Sequence, residues 1–162
     1  MRPTTLAAAG TLIGGVIAAP ACASTVTVII PRQDVAEYHR PYVAMWVEPV
    51  GGGAARTVAL WYETKKTGKE AGTKYLADLR AWWRKGGRSM TVPADGISGA
   101  TRAPGQYSVR LPDLKPGRYV LNVEAARETG GRELVTLPLT VPALDARAAG
   151  KTELGAITLS AR

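Results

Sequence analysis

The chain has 162 residues, a formal net charge of +8 and one cysteine, and 46% of its residues are hydrophobic. This length suits a single domain with a sizeable apolar core, and one cysteine excludes both an intramolecular disulfide and a multi-cysteine metal site. The excess of positive charge favours anionic ligands, phosphate groups or an acidic partner, or simply maintains solubility.

The first 23 residues have the pattern of a secretory signal peptide. A short basic start precedes the apolar residues 6–19, and Ala21-Cys22-Ala23 offers a small-x-small cleavage site. We expect cleavage directly after this tripeptide, which leaves a periplasmic mature chain of residues 24–162 without cysteine. Lipid anchoring at Cys22 is the alternative, but Ala19 stands where a lipobox usually carries leucine.

Short apolar runs separated by turn residues predict β-strands after the leader. The runs are residues 26–30, 42–48, 57–62, 106–111, 117–125, 132–141 and 154–160. Gly51-Gly52-Gly53 joins the second run to the third and predicts a hairpin, and Thr129-Gly130-Gly131 predicts another hairpin. Residues 143–152 are expected to form a surface loop.

One segment of the chain has a helical period instead. Its apolar residues recur at helical spacing and predict an amphipathic helix over about residues 73–85, which ends at Gly86-Gly87. The residues on this face are Tyr75, Leu76, Leu79, Trp82 and Trp83. The fold class predicted for residues 24–162 is therefore mainly β: a single antiparallel immunoglobulin-like β-sandwich with one inserted amphipathic helix.

The titratable residues give little support to hydrolytic or metal chemistry. His39 is the only histidine, so a zinc or haem site would depend on carboxylates or on an exogenous ligand. A Ser-His-Asp triad has no nucleophile-elbow pattern to support it. We expect His39 to form an ordinary hydrogen bond or to lie at the surface.

The predicted helix ends in two tryptophans and a cluster of basic residues. Adjacent side chains on a helix point about 100° apart, so Trp82 is expected to fix the helix to the sheet. Trp83 either packs in the same way or stacks on a planar ligand. The basic residues either form a charged helix end or a phosphate site; they are Arg80, Arg84, Lys85 and Arg88.

Residues 95–101, with the sequence DGISGAT, follow this cluster and are predicted to form a glycine-rich loop. They resemble the flavinylation motif used by extracytoplasmic flavin transferases. In that motif an aspartate stands six residues before an acceptor threonine, which follows a hydroxyl residue, glycine and alanine. The matching residues are Asp95, Ser98, Gly99, Ala100 and Thr101.

The resemblance implies that FMN is joined through its phosphate to the hydroxyl oxygen of Thr101. Gly99 and Ala100 leave space for the transferase and for the phosphate, while Asp95 either fixes the loop or engages the transferase's metal. We expect the transferase to activate the Thr101 hydroxyl, because no neighbouring residue in the sequence is suited to do so.

A wider resemblance covers most of the mature chain. Residues 35–44, 74–83, 98–102 and 130–134 are similar to the signature segments of a bacterial periplasmic family, domain of unknown function 2271. That resemblance implies a flavinylated periplasmic electron carrier, rather than a stand-alone enzyme, that works with a flavin transferase and a PepSY-type membrane reductase. One departure from the motif of the quinone-reductase subunits is Arg102-Ala103-Pro104-Gly105, which replaces the hydroxyl residues that usually follow the acceptor.

Proximity in the sequence nominates the residues that would hold the flavin. Trp83 or Tyr75 would stack on the ring, and a basic side chain would bind the phosphate or stabilise the reduced anionic flavin. The basic candidates are Arg84, Arg88 and Arg102. The alternative function, from a different class, is a non-catalytic periplasmic binding or adaptor module in which the glycine-rich loop only connects two elements.

Overall fold

A cluster of apolar side chains lies between two β-sheets and joins them face to face. The computed structural model describes residues 24–65 and 71–161, so the expected signal peptide lies outside the described residues. One sheet contributes alternate residues such as Val26 and Val28 to the cluster, and the other contributes residues such as Met45. Full burial of such a side chain contributes about 1.5–3 kcal/mol, so this cluster is a main source of stability.

The described residues form nine strands. They are β1 (Thr25–Ile30), β2 (Tyr42–Pro49), β3 (Arg56–Tyr62), β4 (Ser98–Ala100), β5 (Gly105–Arg110), β6 (Gly117–Ala126), β7 (Arg132–Val141), β8 (Ala146–Ala149) and β9 (Ala156–Ser160). The four-stranded sheet has the order β5-β1-β9-β8, and the five-stranded sheet has the order β4-β3-β2-β6-β7. All seven predicted runs contain a strand, and the two predicted hairpins, β2–β3 and β6–β7, are antiparallel pairs.

Two further strands lie where the sequence predicts loops. Strand β8 falls within residues 143–152 and pairs with β9, although its alanine-rich sequence has a low β-propensity. Strand β4 falls within the central glycine-rich loop and pairs with β3 in parallel. The expectation of purely antiparallel sheets is therefore wrong, because the chain makes a long helical crossover after β3 and returns in the same direction.

The helical segment is divided, which corrects the single helix expected over about residues 73–85. A 3₁₀ segment covers Gly72–Asp78, and a short α-helix, α1, covers Arg80–Arg84. Leu79 separates the two with φ −75° and ψ 70°, outside the helical region. No helix in the described part of the chain is long and apolar enough to cross a membrane.

A buried carboxylate explains the break at Leu79. Glu124, in β6, is 0% exposed, and its oxygens accept the backbone N–H groups of Ala81 at 3.1 Å and Trp82 at 2.8 Å. A continuous helix would use those N–H groups for carbonyls of the preceding turn. The carboxylate also accepts a hydrogen bond from Nη1 of Arg132 at 2.9 Å, so α1 begins where the sheet supplies a charged acceptor for its first N–H groups.

The helical crossover covers the second face of the five-stranded sheet. Trp46 and Leu60 of the sheet pack there against Leu79 and Trp82 in a separate apolar cluster. As expected, Trp82 fixes the helix to the sheet, because it is buried and its Nε1 donates to Oγ1 of Thr57 at 3.0 Å. Burial on both faces explains why β2 has an almost continuous buried run instead of strict alternation.

Two further glutamates attach the chain segment before β9 to the hairpin of β6 and β7. Glu133 accepts backbone N–H groups of Lys151, Thr152 and Leu154. Glu153 in turn pairs with Arg127 at the end of β6. These carboxylates therefore attach the connection between β8 and β9 to the five-stranded sheet at the end where β6 finishes.

We expect Glu124→Gln to destabilise the fold by about 1–3 kcal/mol, because buried N–H donors and Arg132 lose a charged acceptor. Denaturant unfolding of the mature chain measures this loss directly. Asp34→Asn, which removes an exposed carboxylate, is the matched control and should leave the unfolding midpoint unchanged. Equal midpoints for the two variants would contradict the role given to Glu124.

Glu133 should make folding stability depend on pH in a defined direction. Burial alone would raise the pKa of Glu133, but hydrogen bonds from the backbone of Lys151, Leu154 and Thr152 outweigh it and hold the pKa below its ordinary value of 4.5. A lowered folded-state pKa means that the stabilisation is complete above 4.5 and is lost as the pH falls through the folded value.

Unfolding measured at a series of pH values checks this expectation. The wild-type chain should lose more stability than Glu133→Gln between about pH 6 and pH 3. If the free energy of unfolding falls equally with decreasing pH in the two proteins, Glu133 is not a source of the acid sensitivity.

Candidate ligand-binding cleft at Thr101

A cleft of about 550 Å³ opens beside Thr101, at one end of the five-stranded sheet. This volume lies within the range of about 300–1,000 Å³ that is typical of cofactor and small-molecule sites. Its lining residues are Tyr38, His39, Arg40, Tyr42, Glu63, Gly72, Tyr75, Asp78, Thr101, Ala126, Arg127 and Glu128.

Sheet register explains why residues so distant in the sequence meet at the cleft. Tyr42 at the start of β2 pairs with Ala126 at the end of β6. Tyr62 at the end of β3 pairs with Ala100 at the end of β4. The residues just outside these positions therefore gather at the same end of the sheet, and the 3₁₀ segment at Gly72–Asp78 adds a further side.

Thr101 is held by its backbone and leaves its hydroxyl unpaired. Its N–H donates to the carbonyl oxygen of Tyr62 at 3.1 Å, which continues the pairing of β4 with β3 by one residue. Its Oγ1 forms no hydrogen bond with any described residue, and the residue is half-buried. The cleft therefore has a threonine with a fixed backbone and an unpaired hydroxyl.

Tyrosines provide the aromatic surface of the cleft. Tyr38, Tyr42 and Tyr75 all line it. Tyr42 is held in place because its hydroxyl donates to the carbonyl of Gly72 at 3.1 Å and its ring packs edge-on against Tyr62. Burial raises the pKa of Tyr42.

Tyr38 contributes an unsatisfied hydroxyl. Its Oη is the one buried side-chain polar atom of the described residues that has no hydrogen-bond partner. Burial raises the pKa of Tyr38, with the positive charge of Arg127 acting in the opposite direction. A buried donor without an acceptor costs about 1–3 kcal/mol, which makes this hydroxyl a candidate ligand contact.

Arg127 places a positive charge on the cleft while remaining almost entirely buried. Its side chain is 8% exposed, and its Nε and Nη2 donate to the Glu153 carboxylate at 3.0 and 3.1 Å. These hydrogen bonds raise the pKa of Arg127 above its already high ordinary value. Its third nitrogen, Nη1, has no hydrogen bond with any described residue.

The remaining charged residues form the outer part of the cleft. Arg40 is exposed, and His39 lies between two carboxylates, 3.1 Å from Glu37 and 3.6 Å from Glu128. His39 thus lies close to two carboxylates at the cleft, and the described residues bring together no group of three His, Cys, Asp or Glu side chains that could hold a metal.

The residues of the predicted motif divide into structural and cleft-facing positions. Ser98 accepts the N–H of Ala94 at 2.9 Å and so stabilises the turn before β4. Gly99 lies against Trp61, where an added Cβ would be 3.4 Å from the ring. Asp95 and Ala100 are exposed, and Thr101 alone of the motif lines the cleft.

Arg102 points to aromatic rings instead of the cleft. Its guanidinium lies 5.3 Å from the ring centre of Trp61 and 5.4 Å from that of Tyr107. Such cation–π contacts stabilise the end of the apolar cluster between the sheets. Arg102 therefore stabilises the segment that carries Thr101 and is absent from the cleft lining.

The other nominated residues lie apart from Thr101, with one exception. Trp83 is half-buried against the second apolar cluster and its ring is 6.2 Å from that of Trp82. Arg84 and Arg88 are exposed, and neither they nor Trp83 line the cleft. Tyr75 does line it, so it is the nominated aromatic residue that the fold brings to Thr101.

Sequence reasoning missed Tyr38, Arg127 and most of the other cleft residues. They belong to the polar segment before β2 and to the end of β6, far from the glycine-rich motif in the sequence. The available signal was the run from Tyr38 to Tyr42, which combines aromatic and basic residues, but a solvated loop can have the same composition.

Comparison with known proteins gives one result. The family model described as "Predicted periplasmic protein (DUF2271)" matches residues 23–156. Its description confirms the periplasmic location expected from the leader. Searches of curated proteins and of solved structures gave no match.

Gly72 should be indispensable to the shape of the cleft. A Cβ at this position would overlap the carbonyl oxygen of Glu63 and lie 2.8 Å from the Tyr42 hydroxyl. We expect Gly72→Ala to cost about 1–3 kcal/mol of stability through overpacking, measured by thermal unfolding. Ala77→Ser, an exposed change in the same 3₁₀ segment, is the control, and equal melting temperatures would contradict the close packing described.

Proposed function

The chain belongs to the DUF2271 family of predicted periplasmic proteins, and on that premise we propose that it is a flavin-carrying electron-transfer protein. FMN is attached through a phosphoester to Thr101, and its ring lies in the cleft beside that residue. The main support for the proposal is that Thr101, whose hydroxyl forms no hydrogen bond with a described residue, lines a cleft of about 550 Å³.

The residues of the cleft fit this group. Tyrosine rings supply planar apolar surface for an aromatic ring system, and they are Tyr38, Tyr42 and Tyr75. Arg40 and Arg127 supply positive charge for a phosphodiester or for a reduced ring. The unsatisfied hydroxyl of Tyr38 is a hydrogen-bond donor for which the protein itself has no acceptor.

The residues of this chain hold the flavin, and the flavin when bound accepts and donates the electrons. Thr101 supplies the ester oxygen and is kept in place by Tyr62. His39, which contacts Glu37 and Glu128, also lines the cleft, but no described hydrogen bond joins it to the Thr101 hydroxyl. We assign removal of the hydroxyl proton to the flavin transferase, which would transfer FMN from a dinucleotide such as FAD: the Thr101 oxygen would bond to the FMN phosphorus while the pyrophosphate bond breaks and AMP leaves.

This function requires two partners. A flavin transferase installs the group, and a membrane reductase of the PepSY type exchanges electrons with it. The positive charge of the chain, +8, favours docking on acidic surfaces of such partners. The immunoglobulin-like form of the sandwich belongs to the same proposal, supported by two sheets that share one apolar cluster.

Intact mass of the protein after co-expression with a flavin transferase tests the proposal. The wild-type chain should gain the mass of FMN less one water, and it should fluoresce in a denaturing gel because a phosphoester survives unfolding. Thr101→Ala should abolish both signals. Thr101→Ser keeps a hydroxyl and should retain the adduct, as should Thr91→Ala, which removes an exposed threonine on the same connection.

An unmodified wild-type chain in the presence of an active transferase would overturn the proposal. An adduct that persists in Thr101→Ala would place the flavin on another residue. The first result would favour the alternative from a different class, a non-catalytic periplasmic binding or adaptor module.

A further inference from the structure

We propose that Tyr38 and Arg127 form a subsite for the carbonyl-bearing edge of the flavin ring and stabilise the negative charge that the ring gains on reduction. This inference rests on the proposed function, and it replaces the basic residues nominated from sequence proximity with a pair that the fold brings to the cleft. The pair comes from the segment before β2 and from the residue after β6.

The two residues offer unused hydrogen-bond donors at the same cleft. The buried hydroxyl of Tyr38 has no partner among the described residues, and Nη1 of Arg127 makes no hydrogen bond there either. The side chains are electrostatically coupled, because the charge of Arg127 acts on the Tyr38 phenol. A buried donor without a partner is rare in folded proteins, so the Tyr38 hydroxyl, in a cleft that Arg127 also lines, indicates an acceptor-rich ligand.

Arg127 is preorganised for this role. Glu153 binds two of its three nitrogens in the fork geometry that carboxylates and guanidinium groups share. The Glu153 carboxylate is itself 4% exposed and also accepts the N–H of Gly131 at 3.0 Å. The guanidinium is thereby fixed in orientation before any ligand arrives, and binding requires little further loss of side-chain freedom.

The flavin ring has the complementary chemistry. Its dioxopyrimidine edge carries two carbonyl oxygens and ring nitrogens, and uptake of two electrons and one proton leaves one negative charge on that side of the ring. A fixed cation and a phenol donor would bind this edge of the ring in both the oxidised and the reduced state. They would bind the reduced ring more tightly because it carries a negative charge.

Tyr38→Phe separates this role from a structural one. Since the Tyr38 hydroxyl has no partner, its removal takes away an unsatisfied buried group and should leave folding stability unchanged or higher. Ring binding should nevertheless weaken. Arg127→Lys is the companion variant, because lysine retains the charge beside Glu153 but lacks the fork that leaves one nitrogen available to a ligand.

Riboflavin binding to the mature Thr101→Ala chain is the closing experiment, since riboflavin lacks the phosphate and the variant cannot be modified at Thr101. Quenching of riboflavin fluorescence should reach a plateau as the concentration of this chain is raised. Adding Tyr38→Phe or Arg127→Lys should raise the dissociation constant about tenfold, as expected for loss of a hydrogen bond to a charged or polarised group. Tyr119→Phe and Arg118→Lys, at the opposite end of β6, are the matched controls and should change nothing.

The midpoint potential of the flavinylated protein gives a second reading. Loss of preferential binding to the reduced ring should lower the potential in both variants, by about 30 mV for a tenfold loss of that preference.

No saturable riboflavin binding, or equal dissociation constants in all variants, would overturn the subsite even if intact mass shows FMN on Thr101. Binding that depends on Tyr38 and Arg127 in a chain that is never flavinylated would support the subsite and overturn the covalent attachment.

Discussion

The carboxylate of Glu124 is the constraint on which the arrangement around the cleft depends. It is fully buried in β6 and binds the first N–H groups of α1 together with Arg132. A buried carboxylate is tolerated only with such partners, and here they come from both the crossover and the neighbouring strand. The helical crossover is thereby fixed to the sheet, and its 3₁₀ segment brings Tyr75 and Asp78 to the cleft.

The crossover also determines where Thr101 lies. Because it begins at the end of β3 and covers one face of the sheet, the returning chain can pair beside β3 in parallel, as β4. That pairing ends with the N–H of Thr101 on the carbonyl of Tyr62. Thr101 then shares a cleft with residues from the segment before β2 and from the end of β6. The pairing of β2 with β6 across the sheet places these residues at the same end.

Local sequence patterns predicted seven of the nine described strands, since alternation and turn residues act over a few positions. They did not predict the break at Leu79 or the pairing of β4, because both depend on contacts with distant residues, Glu124 and β3. The same limit applied to the site: the motif identified Thr101, while neighbours in sequence such as Trp83 and Arg84 lie outside the cleft. Tyr38 and Arg127 reach it only through the sheet register.

A crystal structure of the flavinylated mature chain tests the central claim most directly. We expect electron density that runs from Oγ1 of Thr101 into a phosphate, with the ring in the cleft against Tyr38 and Arg127. A ring that lies outside the cleft, or a phosphate joined to another residue, would contradict it.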